Sequence, residues 1–246
     1  MLNIVIPMAG RGSRFAVAGY TTPKPLIKIN DKPMIQLVTE NLTPSIKHRF
    51  IFIVLKEHLK KYDLNNLLND IAADVEIVVI DDVTEGAACT VLKAVDYINN
   101  NDGLMIANSD QWIEYNIDKY LNASSSYDGF IMTMSADDPK WSFIRFNNKG
   151  KVLEVAEKRV ISNEATVGIY NFAKGASFVK AANEMITKEL KINNEYYVAP
   201  VYNQLIDNNA NIGFHNIDGP HNQGMYGLGT PEDLKEFLNS GIVRKL

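Results

Sequence analysis

The chain has 246 residues, with 25 Lys and Arg against 29 Asp and Glu, a formal net charge of −4, and 46% hydrophobic residues. That balance excludes a disordered or fibrous chain and gives a nucleic acid backbone no electrostatic reason to bind, while the apolar runs, such as 50–55, are too short to cross a bilayer. A lone cysteine, Cys89, excludes an internal disulfide framework, the first residues lack the marks of a secretory signal, and the expectation is a cytoplasmic protein without membrane or nucleic-acid partners.

In chain order, 2–7 is a β-branched run that predicts a strand and stops at a turn-rich stretch, 8–25. Residues 33–42 read as a helix, with Pro33 suited to the first turn and Met34, Leu37, Val38 and Leu42 at helical spacing. A strand at 50–55, a helix at 57–68, a strand at 75–80, a helix at 86–98 and a strand at 103–107 follow. Apolar runs alternating with helices predict an α/β fold with a mostly parallel, Rossmann-like central sheet, buried on both faces. The order of its strands is not legible.

Beyond Ser124-Ser125-Ser126 the rhythm changes. Residues 129–135, 142–147 and 151–157 predict three strands in quick succession, with Asn148-Lys149-Gly150 as a hairpin turn. A strand at 165–172 and a helix at 176–190 come next, then a short helix opening at Thr230, where Asp233 can close a capping box. Without a repeat or a linker, the reading is one domain over 1–246, its second half packed on the same sheet.

The first segment that carries chemistry is Ala9-Gly10-Arg11-Gly12-Ser13-Arg14-Phe15, immediately after the first strand. Two glycines admit a ligand close to the backbone, free amides can cradle phosphate oxygens, and Arg11 and Arg14 add charge-assisted donors. Phe15 stands where a dinucleotide fingerprint wants a small residue, and no Gly-Lys-Ser/Thr closes a Walker loop, so both are disfavoured. Taken alone, the loop reads equally as a mobile surface turn. Ten residues beyond Arg14, Pro23-Lys24-Pro25-Leu26 holds Lys24 between prolines, which lowers the entropy lost when its ammonium meets a polyanion.

Together with Asp31-Lys32-Pro33-Met34-Ile35, these segments resemble, in order, the N-terminal signature of the sugar-phosphate nucleotidylyltransferases. The resemblance implies a nucleotide-binding part at about 1–125 and an acceptor-binding part at about 126–246. It implies transfer of a nucleoside monophosphate from a triphosphate to a phosphorylated acceptor, releasing pyrophosphate. Ala9, Gly10, Arg11, Gly12 and Ser13 would bind nucleotide, and Arg14 and Lys24 would hold its phosphates.

Asn108-Ser109-Asp110 resembles the family's Gly-Asp step, whose aspartate coordinates Mg2+; a helix-capping aspartate is the alternative. Glu85-Gly86 resembles the place where base and ribose are gripped. Ionised Glu85 only accepts hydrogen bonds, which suits an exocyclic amine and leans the reading to CTP, although a negative charge at a helix start explains it equally. Glu157-Lys158, with Arg159 in place of a proline, and Glu195 before Tyr196-Tyr197 resemble acceptor-side steps; a solvated pair and core tyrosines are the alternatives.

One departure stands out. Gly227, ahead of Leu228-Gly229-Thr230-Pro231, occupies the place of the family's second metal-binding aspartate, and Asp218 is the substitute considered. This and Glu85 favour the cytidylyltransferases of capsule and surface-polysaccharide pathways over sugar-1-phosphate uridylyl- or thymidylyltransferases. Outside the class stand a metal-dependent glycosyltransferase, whose Asp-x-Asp pair Asp110-Gln111-Trp112 lacks, and a non-catalytic nucleotide sensor. A homo-oligomer is compatible with either.

Overall fold

Leu2, Ile4 and Ile6 of the first strand pack to one side and Val5 to the other, and all four are buried. A run with no solvent face can only sit inside a sheet covered on both sides. The computed structural model describes residues 1–220 and 224–245, the side chains of 218–220 and 245 excepted. Its main sheet has nine strands: β1 (Leu2–Pro7), β2 (His48–Leu55), β3 (Val75–Ile80), β4 (Gly103–Ala107), β5 (Gly129–Ser135), β6 (Ser142–Phe146), β7 (Val152–Glu157), β8 (Glu164–Phe172) and β9 (Ile212–Pro220).

Strands β3, β2, β1 and β4 lie side by side and parallel. Next to β4 runs β8, antiparallel, then β5, antiparallel to β8, then β9, parallel to β5. The β6–β7 hairpin joins the start of β8 through the Ala165–Phe143 pair. Second-half strands thus extend the first-half sheet. From β1 the chain builds outward to β3 and then returns to β4 on the other side of β1. This reversal is a topological switch point, where the carboxyl ends of two adjacent strands leave a crevice for a ligand.

Three apolar clusters hold these elements. One sheet face is covered by the helices Ala87–Val91, Gly175–Thr187 and Val201–Asp207, the other by Met34–Leu42, Leu64–Asp70 and Ile117–Ser124. The third cluster joins Phe15, Ile27, Ile29 and Leu37 to Tyr226, Leu228, Leu234 and Phe237, so the C-terminal segment is packed onto the loop that follows β1. Phe15 is 1% exposed and anchors that loop.

Several elements differ from expectation. The helix expected at 57–68 is two, Lys56–Lys61 and Leu64–Asp70, because Asp63 between them adopts a left-handed φ of 48°. The helix expected at 86–98 is interrupted by a 3-10 turn, Leu92–Ala94. The helix Ile117–Ser124 was not expected, although Asn116 caps it by accepting from the Asp118 and Lys119 amides at 2.8 and 3.2 Å. Ser13–Val17, Val201–Asp207 and the ladder between Gln111–Ile113 and Met225–Gly227 are too short for periodicity to reveal. No described helix is long and apolar enough to cross a membrane.

Candidate functional site

At the switch point opens a cleft of about 690 Å³, walled by both halves of the chain. On one side the loop after β1 enters the short helix Ser13–Val17, which carries Arg14 to the cleft while Phe15 locks into the core. The 3-10 turn Lys24–Leu26 follows, with Pro25 buried, and turns Lys24 toward the end of β4. There its Nζ donates to Asp110 Oδ2 at 2.6 Å. Both side chains are about one-quarter exposed, 21% and 25%, so the pair is screened less than a surface pair would be. The Asp110 carbonyl accepts the Leu228 amide at 2.7 Å, which ties the end of β4 to the C-terminal segment.

The opposite wall is the β6–β7 hairpin and a strap at 193–199. Ser142 Oγ donates to Glu157. Burial, the larger effect, raises the Glu157 carboxyl above its ordinary value, while Ser142 and Lys158 pull it back. Lys158 donates to the Tyr197 hydroxyl at 2.7 Å and lies 4.8 Å from its ring centroid. Burial and a hydrogen bond to Glu195 raise the Tyr197 phenol far above its ordinary value, so it stays protonated and relays Lys158 to Glu195. The strap approaches closely because Gly86, with φ 122°, faces the Tyr196 backbone: Tyr196 N–H donates to the Glu85 carbonyl at 2.8 Å and Ala88 N–H to that of Tyr196 at 3.0 Å. A Cβ at Gly86 would collide with it.

The raised Glu157 carboxyl has a pH consequence. Between the ordinary value of 4.5 and its own, the folded chain binds more protons than the unfolded one, so stability falls as pH rises through that window. Glu157→Gln is expected to flatten this part of the stability curve, read as urea midpoints from pH 4.5 upward. Parallel curves for the two proteins would remove the burial argument.

Of the residues singled out from sequence, Arg14, Lys24, Asp110, Glu157, Lys158 and Glu195 line this one cleft. Ala9, Gly10, Arg11, Gly12 and Ser13 form the loop behind Arg14 and do not line it. Glu85 departs from expectation. Its carboxylate, 66% exposed, pairs with Lys191 at 2.7 Å and faces a separate cavity with Cys89 and Lys93. The Asp218 side chain lies outside the described residues.

Around Gly227 the structure is specific: it pairs with Gln111 in the short ladder, and the Asp233 carboxyl lies beside it, 3.6 Å from where a Cβ would stand. Gln111 is itself buried, with Nε2 donating to the Gly168 carbonyl at 3.1 Å. Trp112, where the second aspartate of a glycosyltransferase's Asp-x-Asp pair would stand, packs instead against Tyr226 and Phe237, with ring centroids 5.8 and 6.0 Å apart. Gly168, with φ 79° at the break in the β8–β5 register, lets the Gln111 contact form, since a Cβ there would collide with Asn108 and Gln111.

Lys140, Trp141, Ser142, Thr166, Tyr170 and Tyr197 also line the cleft. Thr166 and Tyr170 lie in the strand read at 165–172, and Tyr197 in the acceptor-side step after Glu195. The others arrive through strand pairing.

The donor set suits a hard cation. Asp110 already accepts a cation in the form of the Lys24 ammonium, and Mg2+ needs only one or two carboxylates when phosphates supply the other oxygens. Among the described residues no group of three or more His, Cys, Asp or Glu could hold a metal ion without such help.

Comparison with known proteins agrees with this architecture. The profile of the nucleotidyl transferase family matches residues 4–211. The bifunctional protein GlmU of Methanocaldococcus jannaschii is 24% identical over 177 residues, 70% of this chain, which spans 40% of that protein's length. The solved nucleoside-diphosphate-sugar pyrophosphorylase from Vibrio cholerae RC9 superposes with a TM-score of 0.84 at 25% identity, over 96% of this chain and 100% of that one. A putative glucose-1-phosphate thymidylyltransferase from Bacillus anthracis shares the fold, with a TM-score of 0.79 at 21% identity over 100% and 96%. Because the profile match runs from β1 to the residue before β9, and so through both walls of the cleft, the chain belongs to the nucleotidyl transferase family.

Proposed function

We propose that this cleft transfers a nucleoside monophosphate from a triphosphate to a phosphorylated acceptor, a sugar phosphate being the class that best suits it. The acceptor's phosphate oxygen attacks the α-phosphorus, the bond from that phosphorus to the bridging oxygen breaks, and pyrophosphate leaves with the electron pair. A phosphate dianion needs no general base, so the work is positioning and charge stabilisation. One observation carries the reading: cations and an aspartate from the β1 side meet carboxylates, hydroxyls and a lysine from the hairpin side across one cleft at the switch point.

Arg14 holds terminal phosphates in this reading. Lys24 leaves Asp110 to neutralise the α-phosphate, and Asp110 is freed to hold magnesium, which when bound supplies charge neutralisation on the phosphates. Lys158 faces the acceptor phosphate; Glu157 and Glu195 accept from acceptor hydroxyls. The names of the Vibrio cholerae and Bacillus anthracis proteins support a sugar phosphate as acceptor. A preference for CTP rested on Glu85, and a place in capsule precursor synthesis on Glu85 together with Gly227; the Glu85 carboxylate is engaged by Lys191 outside the cleft. The proposal therefore carries no choice of base.

Pyrophosphate release, measured for the four common triphosphates against a panel of sugar phosphates and other phosphate monoesters, tests it. Release that requires both substrates is expected. Triphosphate binding without release under every pairing would instead make the chain a nucleotide sensor.

A further inference from the structure

Lys140 carries no sequence signal, yet it sits at the seam between the two walls. The chain between β5 and β6 is fixed by Asp138, whose carboxylate accepts the Lys140 amide at 2.9 Å and whose carbonyl accepts the Trp141 amide at 3.2 Å. From this turn the Lys140 ammonium reaches to 3.9 Å from Asp233 Oδ1, on the helix Pro231–Asn239 that follows the segment tied to Asp110. It also lies 3.9 Å from Asp138 Oδ2 and 5.0 Å from the Trp141 ring centroid. On the other side, the Trp141 carbonyl accepts the Lys158 amide at 3.0 Å. Lys140 is thus linked through Asp233 to the nucleotide wall and through Trp141 to the acceptor wall.

Its electrostatic state separates it from the other cleft lysines. Lys24 donates to Asp110 at 2.6 Å and Lys158 to Tyr197 at 2.7 Å. Neither carboxylate near Lys140 comes within hydrogen-bond distance, and the side chain is 46% exposed toward the cleft mouth. Two carboxylates flank the ammonium at that distance without taking up its donors.

Resting on the proposed reaction, which requires two anions to meet at this seam, we infer that Lys140 joins Lys158 in receiving the phosphate monoester of the acceptor and positions it for attack. The two carboxylates near it hold it ready until that dianion arrives. A lysine that merely clips the helix Pro231–Asn239 to the turn would serve the fold and not the ligand.

Calorimetric binding separates these roles without requiring turnover. The probes are glucose 1-phosphate as the monoester and an α,β-methylene triphosphate that cannot be cleaved. Lys140→Met is expected to weaken glucose 1-phosphate binding about tenfold, the loss of one charge-assisted hydrogen bond, with triphosphate binding and the melting temperature unchanged. Lys140→Arg should recover part of the loss. Equal monoester binding by wild type and Lys140→Met, no monoester binding by wild type, or parallel losses for both probes would each overturn the inference. Wild-type protein that binds both probes, with the monoester lost in Lys140→Met, but never releases pyrophosphate would leave Lys140 in place and remove the proposed reaction.

Discussion

Replacing Asp110 by Asn is expected to lower turnover at ordinary magnesium by a factor of about 100 or more, the order seen when one charge-stabilising group leaves an active site. The neutral amide is a poorer ligand for a hard cation, and the substitution keeps size and shape, so the end of β4 should stay in place. The main-chain bond from Leu228 to the Asp110 carbonyl at 2.7 Å does not involve the side chain and should survive. Binding of Mn2+ in the presence of a non-cleavable triphosphate, followed by electron paramagnetic resonance, should weaken in parallel. If the Asp110→Asn protein turned over near the wild-type rate, Asp110 would be only the partner of Lys24.

Lys24→Ala is expected to cost a similar factor of about 100 in kcat, because the charge meeting the α-phosphate is removed while Asp110 loses its compensating cation. Lys24→Arg should restore activity in part only, since a planar fork replaces a compact ammonium in a contact of 2.6 Å. Full rescue by arginine would mean that charge alone matters there. The ion pair adds a readout independent of turnover. Lys24 and a metal ion compete for one carboxylate, so Lys24→Met should bind Mn2+ more tightly than wild type in the absence of nucleotide. Unchanged Mn2+ affinity would show that the pair does not guard Asp110.

These residues were legible early because their signals are local. Arg14, Lys24 and Asp110 each sit a few residues from the end of a strand or between two prolines, where chain geometry leaves the side chain few directions. Glu85 shows the opposite case. Its place at a helix start was legible, but its direction is set by Lys191, 106 residues away, which draws the carboxylate out of the cleft. Lys140 and Trp141 reach the cleft only because the β6–β7 hairpin joins the start of β8, a pairing that no local pattern encodes.

Strands at 2–7, 103–107 and 129–135 follow from composition alone, because a run this apolar has to be buried on both faces wherever it lies, whereas 75–80, with Glu76 and the exposed Val79, lies at the sheet edge. The glycine- and arginine-rich loop directly after the first strand is legible as well, and with it Arg14, which lines the cleft. Tertiary structure alone decided the order of strands, the switch point between β1 and β4, and the meeting of Arg14 and Lys24 with Glu157, Lys158 and Glu195. It also placed Gly227 beside Asp233 and turned Glu85 away. The reason is physical: burial and backbone preference act within a few residues, whereas pairing partners and ion-pair directions depend on which distant segments the assembled sheet brings within a few ångströms.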